Sequence, residues 1–229
     1  MLSLQDAMVI FTNKEMEETI YQMRQHALNR TLIIIMELNE AEVVHEYGMD
    51  FWLDQHSIDP EKHTQPDPRL YIVWNEKPAF VHRAMSINPF KSSYFLWIDI
   101  GSLRHSGYNG QLIVTDATPF REDKVLMIDT MAATARFLDL FVTNENKLSG
   151  AMFGGTTTAM NRYYNEYYKT LSLGVQSNEF VGKDQLLISR TCARVSGLCS
   201  IIVPNPVLVI DSPHFYMVPF FRHKLWLSD

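Results

Sequence analysis

Apolar and polar positions alternate along the first half of the chain in blocks that read as strand, helix, strand, helix. Ala7 to Phe11 is a short apolar strand, and Lys14 to Leu28 a helix capped by Thr12 or Asn13. Thr31 to Leu38 is a second, very apolar strand, followed by helical periodicity from Asn39 to about Leu53, with Ala41, Val44, Tyr47/Gly48 and Phe51 on the inner face. This order predicts a parallel sheet with helices on its faces. Tyr94 to Ile98 is a continuous apolar run suited to a strand covered on both faces. It stops on Asp99, with Gly101 allowing a tight turn behind it. In open α/β sheets ligands collect at the carboxyl ends of strands, so Asp99 is the leading candidate for chemistry, beside its plainer reading as an Asx turn.

Between these blocks, 54–69 is a polar, proline-rich loop whose His56 and His63 read as solvated. Leu70 to Trp74 leads into Asn75-Glu76-Lys77-Pro78 and a helix carrying Phe80, Val81, Ala84 and Met85, stopped by Asn88-Pro89. With Pro78 in the first turn, Lys77 falls at the positive end of the helix dipole, a place for a cation only if an anion lies between them; an exposed turn lysine is the plainer reading. Short strands are expected at Leu112 to Thr115 and Val125 to Ile128, the second closed by Asp129. Ala132 to Val142 fits a helix or a helix followed by a strand.

Gly150 to Phe153 reads as a strand feeding a Gly154-Gly155 turn. The helix after it places Met160, Tyr164, Tyr167, Tyr168 and Leu171 on a core face and ends at Gly174. Asp184 stands at a helix cap position before Leu187, Ile188, Cys192 and Val195. Ser200 to Val203 and Val207 to Ile210 are the last strands expected, and the tail carries His214 and His223.

Composition narrows the classes. The 229 residues suit one domain with a sizeable core, and a net charge of −6 argues against a general nucleic-acid binder. No apolar run approaches the roughly 20 residues of a transmembrane segment. Cys192 and Cys199 lack metal-type or redox-type spacing and read as small buried hydrophobes. No Gly-x-Ser-x-Gly elbow is present to support serine hydrolysis.

Tyr71-Ile72-Val73-Trp74-Asn75-Glu76-Lys77-Pro78, Asn88-Pro89-Phe90, Tyr94 to Gly101, Arg104, Phe153-Gly154-Gly155 and Lys183-Asp184-Gln185, in this order and spacing, resemble the HtrL/YibB family over about residues 1 to 200. The family looks like a group of GT-A nucleotide-sugar transferases. The resemblance implies a GT-A-like (Rossmann-like) mixed, mostly parallel sheet with helices on both faces, a donor-binding half over about 1–110 and an acceptor half over about 111–229. It implies that Asp99 is the first carboxylate of an Asp-x-Asp motif holding a divalent metal (Mn or Mg) on the donor diphosphate. Gly101 stands at the second carboxylate, so His214, His223 or another Asp would have to complete the metal site, or Lys77 and Arg104 would act without metal. By the same resemblance, Lys77 lies toward the donor phosphates or sugar with Arg104 sharing that task, Gly154 and Gly155 form the donor-sugar and acceptor floor, and Asp184, with Gln185 opening a helix near the acceptor, contacts the acceptor hydroxyl or the donor sugar, as general base where the outcome is inversion. A degenerate glycan-binding or partner-binding member and a nucleotidyltransferase are the alternatives. The resemblance further implies an additional strand upstream of the Met8 to Phe11 strand, interior to the sheet and beside the Tyr94 to Asp99 strand, so the chain reads as N-terminally truncated, with poor solubility expected of it alone.

Overall fold

The structure is a computed structural model that describes residues 1–64, 67–103, 109–131, 147–209 and 212–222. The expected opening holds. β1 (Met8–Thr12) and β2 (Thr31–Ile35) pair in parallel, Met8 opposite Thr31 and Thr12 opposite Ile35. The connection between them begins where the Asn13 side chain accepts from Met16 N, runs through α1 (Glu17–Met23), and breaks at Ala27, whose backbone leaves helical geometry. Arg24 is fully buried at the end of α1 and donates to the carbonyls of Leu2, Leu4 and Asp6 and to Thr31 Oγ1, tying the N-terminal segment to β2. The single helix expected to begin at Asn39 is two, α2 (Glu42–Tyr47) and α3 (Met49–Ile58), divided by Gly48 at φ +82°.

The largest correction to the helices concerns α4, which runs unbroken over Arg69–Ile87 with Pro78 inside it. Proline removes one backbone donor and crowds the preceding turn, and the neighbouring polar groups here are met by side chains. Tyr168 Oη donates to Asn75 O, and the Asn75 amide donates to Tyr71 O and Gly182 O while accepting from Tyr167 Oη. Lys77 is therefore a buried mid-helix residue, away from the positive end of the dipole.

β3 (Tyr94–Ile98), β4 (Val125–Ile128), β5 (Met152–Thr156) and β6 (Cys199–Ile202) form a second sheet in the order β3-β5-β4-β6. The β3–β5 and β4–β5 pairings are antiparallel and β4–β6 is parallel, so this sheet is mixed rather than mostly parallel. Among the described residues it is not hydrogen-bonded to the β1–β2 sheet. Gly154 and Gly155 lie within β5, opposite Leu96 and Phe95, and do not form the expected turn. A Cβ on Gly154 would stand 2.4 Å from Phe95 O, so glycine is what lets β3 close against β5.

α5 (Thr157–Gln176), capped by Thr156, and α6 (Asp184–Arg194) cover this sheet. Of the expected tyrosine stripe only Tyr167 is fully buried, with Tyr164 and Tyr168 half-buried; Tyr163, outside the expected stripe, is fully buried against Phe153 and Tyr167. Gly174 is inside α5, because a Cβ there would meet Val181 Cγ1 at 2.6 Å, and the helix continues to Gln176. Leu112 to Thr115 is irregular, and Pro206–Leu208 is a 3₁₀ turn where a strand was expected, with prolines at 204 and 206 removing ladder donors. Ala132 to Val142 lies outside the described residues. Cys192 and Cys199 are not free but form a disulfide: the turn through Gly197 at φ +75° folds the end of α6 back onto β6 and brings their Cα atoms to 5.6 Å. The fold closes with α7 (Met217–Arg222), and no described helix is long and apolar enough to cross a membrane.

Candidate functional site

Three sequence-distant residues meet at the carboxyl end of β3. Lys77, projecting from the middle of α4, places Nζ 2.8 Å from Asp184 Oδ2, 3.1 and 3.2 Å from Asp99 Oδ1 and Oδ2, and 2.9 Å from Gly150 O. The ammonium is thus surrounded by acceptors. The cluster holds one positive and two negative charges, and only Asp99 is appreciably open, its side chain 36% exposed against 4% for Lys77 and 9% for Asp184.

Each member is held by its element. Trp97, two residues before Asp99 on β3, donates its indole N–H to Asp99 Oδ1 at 2.7 Å and stacks on Phe80 of α4. Asp99 N donates to Ala151 O, extending the β3–β5 pairing to the site. Asp184 opens α6 and accepts from Gln185 N through Oδ1. Its carboxylate fits there because residue 150 is glycine: a Cβ would stand 2.1 Å from Asp184 Oδ2. Ser149, fully buried, accepts from Ala151 N and lies with Oγ 3.2 Å from His214 Nδ1.

Burial alone would pull the Lys77 ammonium down, but Asp184 and Asp99 more than offset it and the net shift is upward, keeping it charged. Burial raises the Asp99 carboxyl above its ordinary range, against the opposing pull of Lys77 and Trp97. Burial likewise lowers His214, so its imidazole is held neutral more readily than a free one.

A cavity of about 1630 Å³ opens beside the cluster, lined there by Lys77, Asp99, Gly101, Ala151 and His214. Sequence and structure agree in bringing Lys77, Asp99 and Asp184 together. Asp184 and Gln185 do not line this cavity; the first holds Lys77 and the second lies 3.4 Å from Leu148 O. Gly154 and Gly155 are buried in β5 and serve strand packing. Arg104 and His223 lie outside the described residues. Among the described residues no three or more His, Cys, Asp or Glu side chains are grouped to hold a metal ion. Lys77 Nζ lies on both Asp99 oxygens, and His214 Nδ1 lies beside Ser149 Oγ. Sequence reasoning missed Trp97 as the group that aims Asp99, and missed Ser149 and Gly150; the glycine immediately before an apolar strand was the available signal.

A family model described as a bacterial protein of unknown function, HtrL_YibB, matches residues 1–203. No curated protein and no solved structure matches the chain.

Proposed function

The chain belongs to the HtrL/YibB family, whose function is unknown, and from that premise we propose that it is a glycosyltransferase moving a sugar from a nucleoside-diphosphate donor to a glycan hydroxyl. The observation that carries the proposal is the convergence of Asp99 and Asp184 on the Lys77 ammonium at a strand end that opens into a cavity. Perturbed, buried charges gathered at a cleft favour chemistry over a purely structural role.

In this reading Asp99 is the working carboxylate. It takes the proton of the acceptor hydroxyl as that oxygen bonds to the anomeric carbon and the bond to the donor diphosphate breaks, the diphosphate leaving with the electron pair. Its raised carboxyl suits a base, since a base works best when its pKa lies near the operating pH. Trp97 and Lys77 fix its direction, and Asp184 is a positioning residue that holds Lys77. Lys77 is neutralised by Asp99 and Asp184, so the charge of the leaving diphosphate would be met by a further cation, a divalent metal or a cationic side chain. A second reading, ligand binding without turnover, is favoured by one observation: all the acceptors around Lys77 belong to the protein itself.

Donor hydrolysis across a panel of uridine, guanosine, adenosine and cytidine sugars, with and without manganese, tests both. Turnover of one donor should fall by about 10²–10⁴ in Asp99→Asn, with stability changed by no more than about 1 kcal/mol because the carboxylate is partly exposed. Unaltered turnover in the variant sinks the proposal, and donor binding without hydrolysis establishes the second reading.

A further inference from the structure

The buried hydroxyl of Ser149 meets three groups: Oγ accepts from Ala151 N at 3.1 Å, lies 3.2 Å from His214 Nδ1 and lies 3.3 Å from His214 O. A hydroxyl has one hydrogen to donate and two lone pairs to accept with. All three contacts are satisfied together in one arrangement, in which Ser149 donates to His214 O and accepts from Ala151 N and from Nδ1–H of the ring. The tautomer this network assigns carries its proton on Nδ1 and leaves Nε2 a bare lone pair. The backbone holds the ring in place as well, since Ser212 Oγ accepts from His214 N in the Pro213–Phe215 turn. Among the described residues Nε2 has no partner, yet it is not one of the buried unsatisfied atoms. It therefore faces open space, and the space that His214 borders is the end of the cavity shared with Lys77, Asp99 and Ala151.

Two acceptors thus border one space, His214 Nε2 and the partly exposed Asp99 carboxylate. The cation beside them has little left to give, because the Lys77 ammonium is already directed at Asp184, Asp99 and Gly150 O. This end of the cavity calls for a ligand that donates hydrogen bonds. The phosphates of an ionised diphosphate only accept, whereas the hydroxyls of a sugar, carried on successive carbons, donate. We propose that His214 Nε2 accepts a hydrogen bond from a hydroxyl of the donor sugar, beside Asp99, and that Ser149 is the positioning residue that fixes the ring in the accepting tautomer. This rests on the glycosyltransferase reading: there Asp99 serves the acceptor hydroxyl, whose oxygen bonds to the anomeric carbon, so the hydroxyls of the donor sugar are the next donors along. It adds that the sugar, and not the diphosphate, lies against His214, and that no proton is transferred there.

Two measurements on the 229-residue chain test this. The first is nitrogen-15 NMR of labelled histidine at pH 8, where the imidazole is neutral, with the His214 signals assigned by their loss in His214→Asn. The ring should carry its proton on Nδ1, and Ser149→Ala should abolish that preference. A ring protonated on Nε2, or a tautomer that Ser149→Ala leaves unchanged, overturns the inference; so does selective broadening of Nε2 by manganese, which would make a metal its partner. The second is calorimetric titration with UDP-glucose, GDP-mannose, ADP-glucose and CDP-glucose, each beside its sugar-free diphosphate. His214→Asn keeps a side-chain amide near Ser149 and removes the Nε2 acceptor. It should weaken the nucleotide sugar that the wild type binds by roughly three- to tenfold and leave the matching diphosphate unchanged, a difference that general damage to the fold would not produce. Equal weakening of both, or of neither, overturns the inference and leaves the glycosyltransferase reading standing. A wild type that binds none of the four sugars fails that reading and this inference together.

Discussion

β3 and β4 are continuous apolar strands of one sheet, yet all four residues of β4 are buried and all five of β3 are only half-buried. Composition does not separate them, since Tyr-Phe-Leu-Trp-Ile has as much to bury as Val-Leu-Met-Ile. Neighbours do. β4 lies between β5 and β6, whereas β3 has β5 on one side and the cavity on the other. The contrast extends outward: around β4 and β5 the tyrosines of α5 and Tyr71 of α4 close a dense core, while β1, paired with β2 in a two-stranded sheet, lines the same cavity as β3. The candidate site sits where these two regions meet, and Lys77 clasps α4, the end of β3, the turn before β5 and the start of α6.

That clasp should give the largest effect. Lys77→Ala leaves Asp184 buried without its counter-charge, and losing one partner of a buried pair costs about 3–5 kcal/mol. Lys77→Met combined with Asp184→Leu should recover part of that loss, because an apolar pair has no uncompensated charge. Urea denaturation measures both. A loss below about 1 kcal/mol in Lys77→Ala would show that the two regions do not depend on the clasp.

A somewhat smaller effect is expected on the closed side, at Glu76. Its buried carboxylate accepts from Glu42 N and Val43 N at the start of α2, and burial pushes its carboxyl up to about 7. The folded state therefore holds a proton that the unfolded chain releases near pH 4.5. Stability from this group is fully present below about pH 4.5 and declines as pH rises to about 7, by roughly 3 kcal/mol in all. Denaturation midpoints at pH 5 and pH 7 should differ more in the wild type than in Glu76→Gln; equal differences would remove Glu76 from the core's pH dependence.

Much of this was legible in the sequence. The β1–α1–β2 opening, the strand ending on Asp99 and the tyrosine core follow from periodicity, because local spacing and burial agree there. Lys77 and Asp184 could be paired with Asp99 only through the family resemblance, since periodicity carries no information on residues 107 apart. Pro78 misleads because its fit to a first helical turn suggests that the helix starts there, whereas the side chains of Asn75 and Tyr168 serve the backbone around a mid-helix proline. Gly154 and Gly155 read as a turn in the sequence because the need for them is steric and lies on another strand. The disulfide was missed because its two cysteines are brought together by a turn that sequence alone did not reveal.

The finest test of the open and closed regions uses two leucines facing one glycine. Leu96 of β3 and Leu126 of β4 are both paired opposite Gly154 of β5, and both pack in the same apolar cluster beneath α7. Leu126 is 3% exposed, so Leu126→Ala should cost about 2–5 kcal/mol, the transfer and cavity terms together. Leu96 lines the open cavity and is half-buried, so Leu96→Ala removes less buried surface and leaves a space that solvent already reaches. Its cost should be lower by roughly 1–2 kcal/mol. Equal costs would mean that β3 is as closed as β4 and that its half-burial has no energetic meaning.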